Sequence, residues 1–155
     1  MKKLLATLAA LAMFTGTAHA ASLPDFTSTT DAAIVGSSIV VVGTITNTGA
    51  NASRAIWASV ATPLGTQTKP GFVSVATDHG TCAPVYFTSG ALNRIKCSGI
   101  LLSAGETATV TATYFLPSSG WSGHVFTFQT FPNNEYALAE VTKSNNNSST
   151  TVTVP

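Results

Sequence analysis

Thr107-Ala108-Thr109-Val110-Thr111-Ala112-Thr113-Tyr114 is the stretch that decides the fold. Every odd position is threonine, and every even position is alanine, valine or tyrosine. A period of two sets successive side chains on opposite faces of a strand, so this segment has a threonine face for water and an apolar face for a core. Working outward, Val40 to Thr46 begins as an apolar run and then alternates, as a strand packed between neighbours does. His124 to Phe131 places Phe126 and Phe128 on one face, and Thr150 to Val154 places Val152 and Val154 together. Fainter strands are predicted at Asp25 to Thr29, Ala55 to Ala61, Phe72 to Thr77, Arg94 to Cys97 and Tyr136 to Val141.

Turn chemistry separates these runs. Asn47-Thr48-Gly49-Ala50-Asn51, Thr62-Pro63-Leu64-Gly65, Lys69-Pro70-Gly71, Ser103-Ala104-Gly105-Glu106, the span Pro117 to Gly123 and Pro132-Asn133-Asn134 carry Gly, Pro or Asn where a chain reverses. Short strands punctuated in this way indicate an all-β sandwich. No helical stripe, second domain or full-length repeat is visible beyond the first twenty residues.

Those first residues read as an export signal. Lys2 and Lys3 form a positive start, Leu4 to Phe14 an apolar run, and Ala18-His19-Ala20 a cleavage site before Ala21. The run is about 11 residues, too short for a bilayer that needs roughly 20. Residues 1–20 are therefore expected to be a cleaved signal peptide of bacterial look, and 21–155 a single domain. It is expected to be exported to the periplasm, the cell surface or the medium, with no membrane insertion after cleavage. In such an oxidising compartment Cys82 and Cys97 are expected to form a disulfide rather than a metal or redox site. By chain entropy a loop of that size adds roughly 3 kcal/mol. Without Lys2 and Lys3 the seven basic residues fall to five against six acids, a formal charge of about −1. That balance excludes a nucleic-acid footprint or an anionic-membrane patch, which need clustered Lys and Arg.

An ordered set of short strings runs through the chain: Val35-Gly36, Thr44-Ile45-Thr46-Asn47-Thr48-Gly49, Ala61-Thr62-Pro63, Gly71-Phe72-Val73-Ser74-Val75, Cys82, Cys97-Ser98-Gly99-Ile100-Leu101, Ala104-Gly105-Glu106-Thr107 and Asn145-Asn146-Asn147-Ser148. In order and spacing this set resembles the conserved-repeat "domain of unknown function 11" family of bacterial and archaeal surface proteins. The resemblance spans nearly all of residues 21–155. It implies an immunoglobulin-like β-sandwich of about seven to nine strands with one disulfide. It brings no catalytic residues. Phe126 to Phe131 stands where that family carries a short Asn-Thr-Ala string, Lys143-Ser144 stands where it carries an aspartate, and the chain holds one copy of a unit usually met in tandem.

Candidate chemistry is sparse. Asp78-His79 with a serine suggests a hydrolytic triad, but no Gly-x-Ser-x-Gly elbow accompanies it, and the surface-turn reading stands beside it. His79 and His124 with two cysteines lack zinc spacing, and Asp25, Asp31, Asp78, Glu106, Glu135 and Glu140 are scattered singly, so no metal is expected. Glu135 and Glu140 have no surroundings that would make them a glycosidase pair. No cofactor and no catalytic centre are expected. Trp57, inside a strand, reads as core. Trp121, between Ser118-Ser119-Gly120 and Ser122-Gly123, reads either as a plug over the open end of the sandwich or as an exposed contact residue, and it is the candidate binding residue. The Asn145 to Asn147 run reads as a solvated turn or a cap on the last strand.

Three function classes follow. The first is a non-catalytic structural or adhesive domain of the cell surface or extracellular matrix, with other surface or matrix proteins as partners. A sharper version has subunits assembling with themselves through edge strands. The second is a carbohydrate-binding module, and the third a hydrolase.

Overall fold

The computed structural model of the chain describes residues 23–65, 69–116, 120–133 and 144–155. Among them nine strands form: β1 (Phe26–Val35), β2 (Ser38–Asn47), β3 (Ile56–Pro63), β4 (Gly71–Thr77), β5 (Thr81–Tyr86), β6 (Leu92–Ile100), β7 (Thr107–Phe115), β8 (Val125–Asn133) and β9 (Ser148–Thr153). They make two antiparallel sheets, of order β1-β2-β7-β4 and β5-β6-β3-β8-β9. The architecture is the expected all-β, immunoglobulin-like sandwich with one disulfide. The predicted signal peptide at 1–20 and the predicted strand Tyr136 to Val141 lie outside the described residues.

The threonine strand is the centre of β7. Ala108, Val110, Ala112 and Tyr114 are fully buried, while Thr107, Thr109, Thr111 and Thr113 face outward. Facing them in the core are Phe128 of β8 and Val60 and Ala61 of β3. Tyr114 lies 5.2 Å from Phe128, ring centre to ring centre. On the outer face, threonine hydroxyls pair between strands: Thr29 with Thr44 at 2.7 Å and Thr46 with Thr107 at 2.8 Å.

Two elements depart most from the sequence expectation. β1 continues past Thr29 to Val35 because its register with β2 runs unbroken from Phe26↔Asn47 to Val35↔Ser38. The two-residue connection there is possible because Gly36 adopts a φ of 60°. β5 was not expected, since Pro84 interrupts its sequence. It is an edge strand, where a missing N–H breaks no ladder bond.

Close approach of the sheets is visible at Gly43 in β2. A Cβ there would overlap Thr130 Oγ1 and lie 2.5 Å from Val60 Cγ1. At one end of the sandwich the Asn-Thr-Gly and Ala-Gly-Glu strings meet. Fully buried Asn47 donates through Nδ2 to the carbonyls of Asn51 at 2.7 Å, Leu102 at 3.1 Å and Ser103 at 3.3 Å. Its Oδ1 accepts from the amides of Gly49 at 3.1 Å and Asp25 at 3.3 Å. The Gly105 amide donates to the Asn47 carbonyl, and the Glu106 carboxylate accepts from the Ser103 amide at 2.6 Å. One amide side chain thus ties two loops to the segment that leads into β1.

The sheet edges are dressed. β1 and β9, each the last strand of its sheet, lie side by side. Thr30 Oγ1 and Ser148 Oγ share a hydrogen bond of 2.7 Å, and Ser28 Oγ donates to the Asn146 carbonyl at 2.5 Å. At the opposite edges β4 carries a register break between Phe72 and Ser74, and β5 carries Pro84.

Candidate functional site

Cys82 and Cys97 stand directly opposite each other on β5 and β6, with Cα atoms 4.0 Å apart and sulfurs bonded at 2.02 Å. The bond fastens an edge strand to its sheet, and neither sulfur is free for chemistry.

Trp57 is not in the core. β3 turns Ala58 and Val60 inward, and alternation sends Trp57 and Ser59 to the outer face of the five-stranded sheet. Before its bulge at Ala61 the strand is buried on one face only, and a core reading of Trp57 had the wrong parity. There the half-buried indole carries two cations, the Arg94 guanidinium 5.1 Å and the Lys96 ammonium 5.0 Å from its centre.

Trp121 lies in the turn that leads into β8. It is half-buried, packed on the core, stacked on Phe126 at 5.1 Å and flanked by His124 at 5.2 Å. The Gly123 amide donates to the Val154 carbonyl, and the Val154 amide to the His124 carbonyl, so this turn also ties down the end of the chain. Of the asparagine run, Asn146 is buried, its carbonyl accepting from Ser28 on β1, while Asn147 Oδ1 accepts from Gln129 at 2.5 Å. The run is a joint between the sheets as well as a turn.

His79 lies in the β4–β5 turn between two carboxylates. Its Nδ1 is 2.9 Å from Asp78 Oδ1 and its Nε2 is 3.0 Å from Glu106 Oε1. Asp78 Oδ1 also accepts from the Thr109 amide at 2.7 Å. The bond to Asp78, then that to Glu106, raises the His79 pKa above its ordinary 6.5. For Asp78 burial acts upward and is outweighed by the His79 bond and the Thr109 amide, which leave it below the ordinary carboxylate value. The Ser103 amide, then His79, lowers Glu106. Both ring nitrogens are committed to carboxylates, so this histidine has no free nitrogen for a serine. They also point in opposite directions, so the three groups do not converge on one ion. Among the described residues no three His, Cys, Asp or Glu side chains make a metal cluster. Glu135 and Glu140 lie outside the described residues.

A groove of about 640 Å3 opens between the β3–β4 connection and the β5–β6 hairpin. Lys69, Pro70, Phe72, Tyr86, Phe87 and Leu92 line it. Tyr86 and Phe87 are each 51% exposed, a large apolar area for a hairpin tip. The tip is held by the Phe87 amide donating to the Ala91 carbonyl and the Gly90 amide to the Phe87 carbonyl. Lys69 donates to the Leu92 carbonyl at 2.9 Å and lies 5.6 Å from the Phe87 ring centre, and its partial burial lowers its pKa. Trp121 is not among the residues lining this groove. Sequence reasoning passed over Tyr86 and Phe87. The available signal was an aromatic pair running into Thr88-Ser89-Gly90, an apolar tip on a turn.

No family profile matches the sequence, and no curated protein does. Two structures of the CARDB domain of a Pyrococcus furiosus protein are similar to the chain. The solution NMR structure has a TM-score of 0.53 and 14% identity, covering 85% of this chain and 95% of that one. The crystal structure, of that domain in complex with di-metal ions, has a TM-score of 0.54 and 14% identity, covering 86% of this chain and 90% of that one. The likeness is one of fold. It places this sandwich beside the CARDB domain in architecture and carries no site residue across.

Proposed function

We propose that the protein is an exported, non-catalytic β-sandwich that acts at the cell surface or in the extracellular matrix as an adhesive interaction domain. The observation that carries this reading is the groove with Tyr86 and Phe87 half-exposed at its lip beside the Lys69 ammonium. Rigid aromatic rings beside a cation bury much area on contact at little cost in side-chain entropy, which is how contact sites for sugars and proteins are built. The export signal and the order of strings resembling a surface-protein family agree with it. His79 with both ring nitrogens occupied argues against hydrolysis. The dressed edges argue against assembly by strand addition, because bulges and prolines obstruct a new ladder.

The test is retention of the purified protein on envelope fractions and on a panel of immobilised neutral polysaccharides, beside Tyr86→Ser and Phe87→Ser. Both side chains are half in solvent, so the variants are expected to keep the parental Tm within a few degrees and to lose about tenfold or more in binding. Retention unchanged in both variants removes the groove from the reading. Polysaccharide retention that the variants abolish identifies a carbohydrate-binding module.

A further inference from the structure

The outer face of the five-stranded sheet holds a cluster of hydrogen-bond donors that no carboxylate among the described residues meets. Arg94 and Lys96 are two apart on β6, hence on one face, with Ile95 and Cys97 turned into the core between and beyond them. Both lie over the Trp57 indole on β3. Indole N–H, guanidinium and ammonium are donors without an acceptor among them. Trp57 Nε1 and Arg94 Nε are both shielded from solvent and have no hydrogen-bond partner among the described residues. Neither cation has an ion-pair partner among those residues. Each described carboxylate, Asp25, Asp31, Asp78 and Glu106, belongs to β1 or to a turn at the ends of β1, β4 and β7, and no strand of the five-stranded sheet carries one.

We propose that this face binds a carboxylate-bearing polysaccharide, with Arg94 and Lys96, themselves seated on Trp57, holding the carboxylate. Two cations held together on an aromatic face repel one another, and an anion between them removes that repulsion while accepting from guanidinium and ammonium N–H groups that no carboxylate among the described residues meets. The sheet position selects a glycan over an acidic peptide. An extended peptide gains affinity by pairing its backbone with a free strand edge, and β3 and β6 are interior strands with both edges used. What the face offers instead is hydroxyls, Ser59 on β3 and Ser98 on β6, and the exposed ring of Phe131, which stands opposite Ser59 on β8. Hydroxyls and a flat ring suit the edges and face of a sugar. The inference does not depend on the groove, whose lining residues are different.

Calorimetry of the purified protein with oligogalacturonate, at low and at moderate salt, tests it. The methyl-esterified oligomer is the neutral control and polyglutamate the peptide control. Expected are binding of oligogalacturonate that weakens with salt, none of the ester, and a loss of about tenfold or more in Arg94→Gln/Lys96→Gln at unchanged Tm. Should that double variant fail to fold, Lys96→Arg, which keeps the charge, is expected to retain binding, and Lys96→Glu to lose it. Tyr86→Ser is expected to bind as the parent does. Absence of binding, equal binding of the ester, or binding indifferent to Arg94 and Lys96 overturns the proposal. Polyglutamate bound as tightly as the uronate overturns the choice of a glycan.

Discussion

Tyr114 donates its hydroxyl to the carbonyl of Ala61 at 2.5 Å, and both residues are fully buried. Ala61 is the one non-glycine with positive φ among the described residues, at 49°, where β3 slips register against β8 between Ser59 and Thr62. A left-handed alanine costs about 1–2 kcal/mol, so the bulge needs support from its surroundings. The phenol supplies it from the facing sheet, and burial drives the phenol pKa well above the ordinary tyrosine value. Tyr114→Phe keeps the ring and leaves the Ala61 carbonyl buried without this donor. It is expected to cost about 2 kcal/mol and to lower Tm by roughly 5–10 °C, measured by thermal melting. A variant as stable as the parent shows that the bulge holds without the phenol. Asn47 is a similar case in a more crowded place. Its motif neighbours are fixed by contact as well, because a Cβ on Gly49 would lie 2.6 Å from the Asp25 amide nitrogen and from the Leu23 carbonyl oxygen.

At the scale of elements, β5 is the strand least secured by its own sequence. It has a single neighbour in its sheet, a proline in the middle, and no fully buried residue. The Cys82–Cys97 bond compensates by joining it to β6 across the ladder. Cys82→Ala/Cys97→Ala is expected to lose roughly 3 kcal/mol, with faster amide exchange confined first to β5 and the hairpin tip carrying Tyr86 and Phe87. Native-state hydrogen exchange separates this from uniform loosening, which would mean the bond serves the whole fold equally. β5 was also the strand least legible beforehand, for the same reason. Proline and an edge position remove both the propensity and the two-faced pattern by which strands are read. β7 was the most legible because a strand packed on one face and wet on the other must alternate.

For the whole molecule, the Asp78–His79–Glu106 cluster makes stability depend on pH. It bridges the β4–β5 turn and the start of β7. The folded-state pKa of His79 is raised, so its contribution is complete below 6.5 and disappears as pH rises through the raised value. The folded-state pKa values of Asp78 and Glu106 are lowered, so theirs is complete above the ordinary carboxylate range and disappears as pH falls through the lowered values. The cluster therefore contributes most between about pH 4.5 and 6.5. Thermal melts across that range are expected to peak inside it, and His79→Gln to flatten the peak without abolishing folding. A profile that keeps its shape in His79→Gln assigns the dependence to other groups.

The sequence by itself determined the class of fold, most of the strands and the pairing of the two cysteines. Those features rest on local alternation, on turn residues that fix backbone angles, and on there being only two thiols in 21–155. Which side chains share a surface was decided by the tertiary structure. Trp57 reaches Arg94 and Lys96, His79 reaches Glu106, and Lys69 reaches Leu92 and Phe87 only because particular strands lie beside one another in a particular register. Strand order and register arise from packing two sheets face to face. A shift of one residue would turn each outward side chain into the core, and no local pattern records which outward residues then become neighbours.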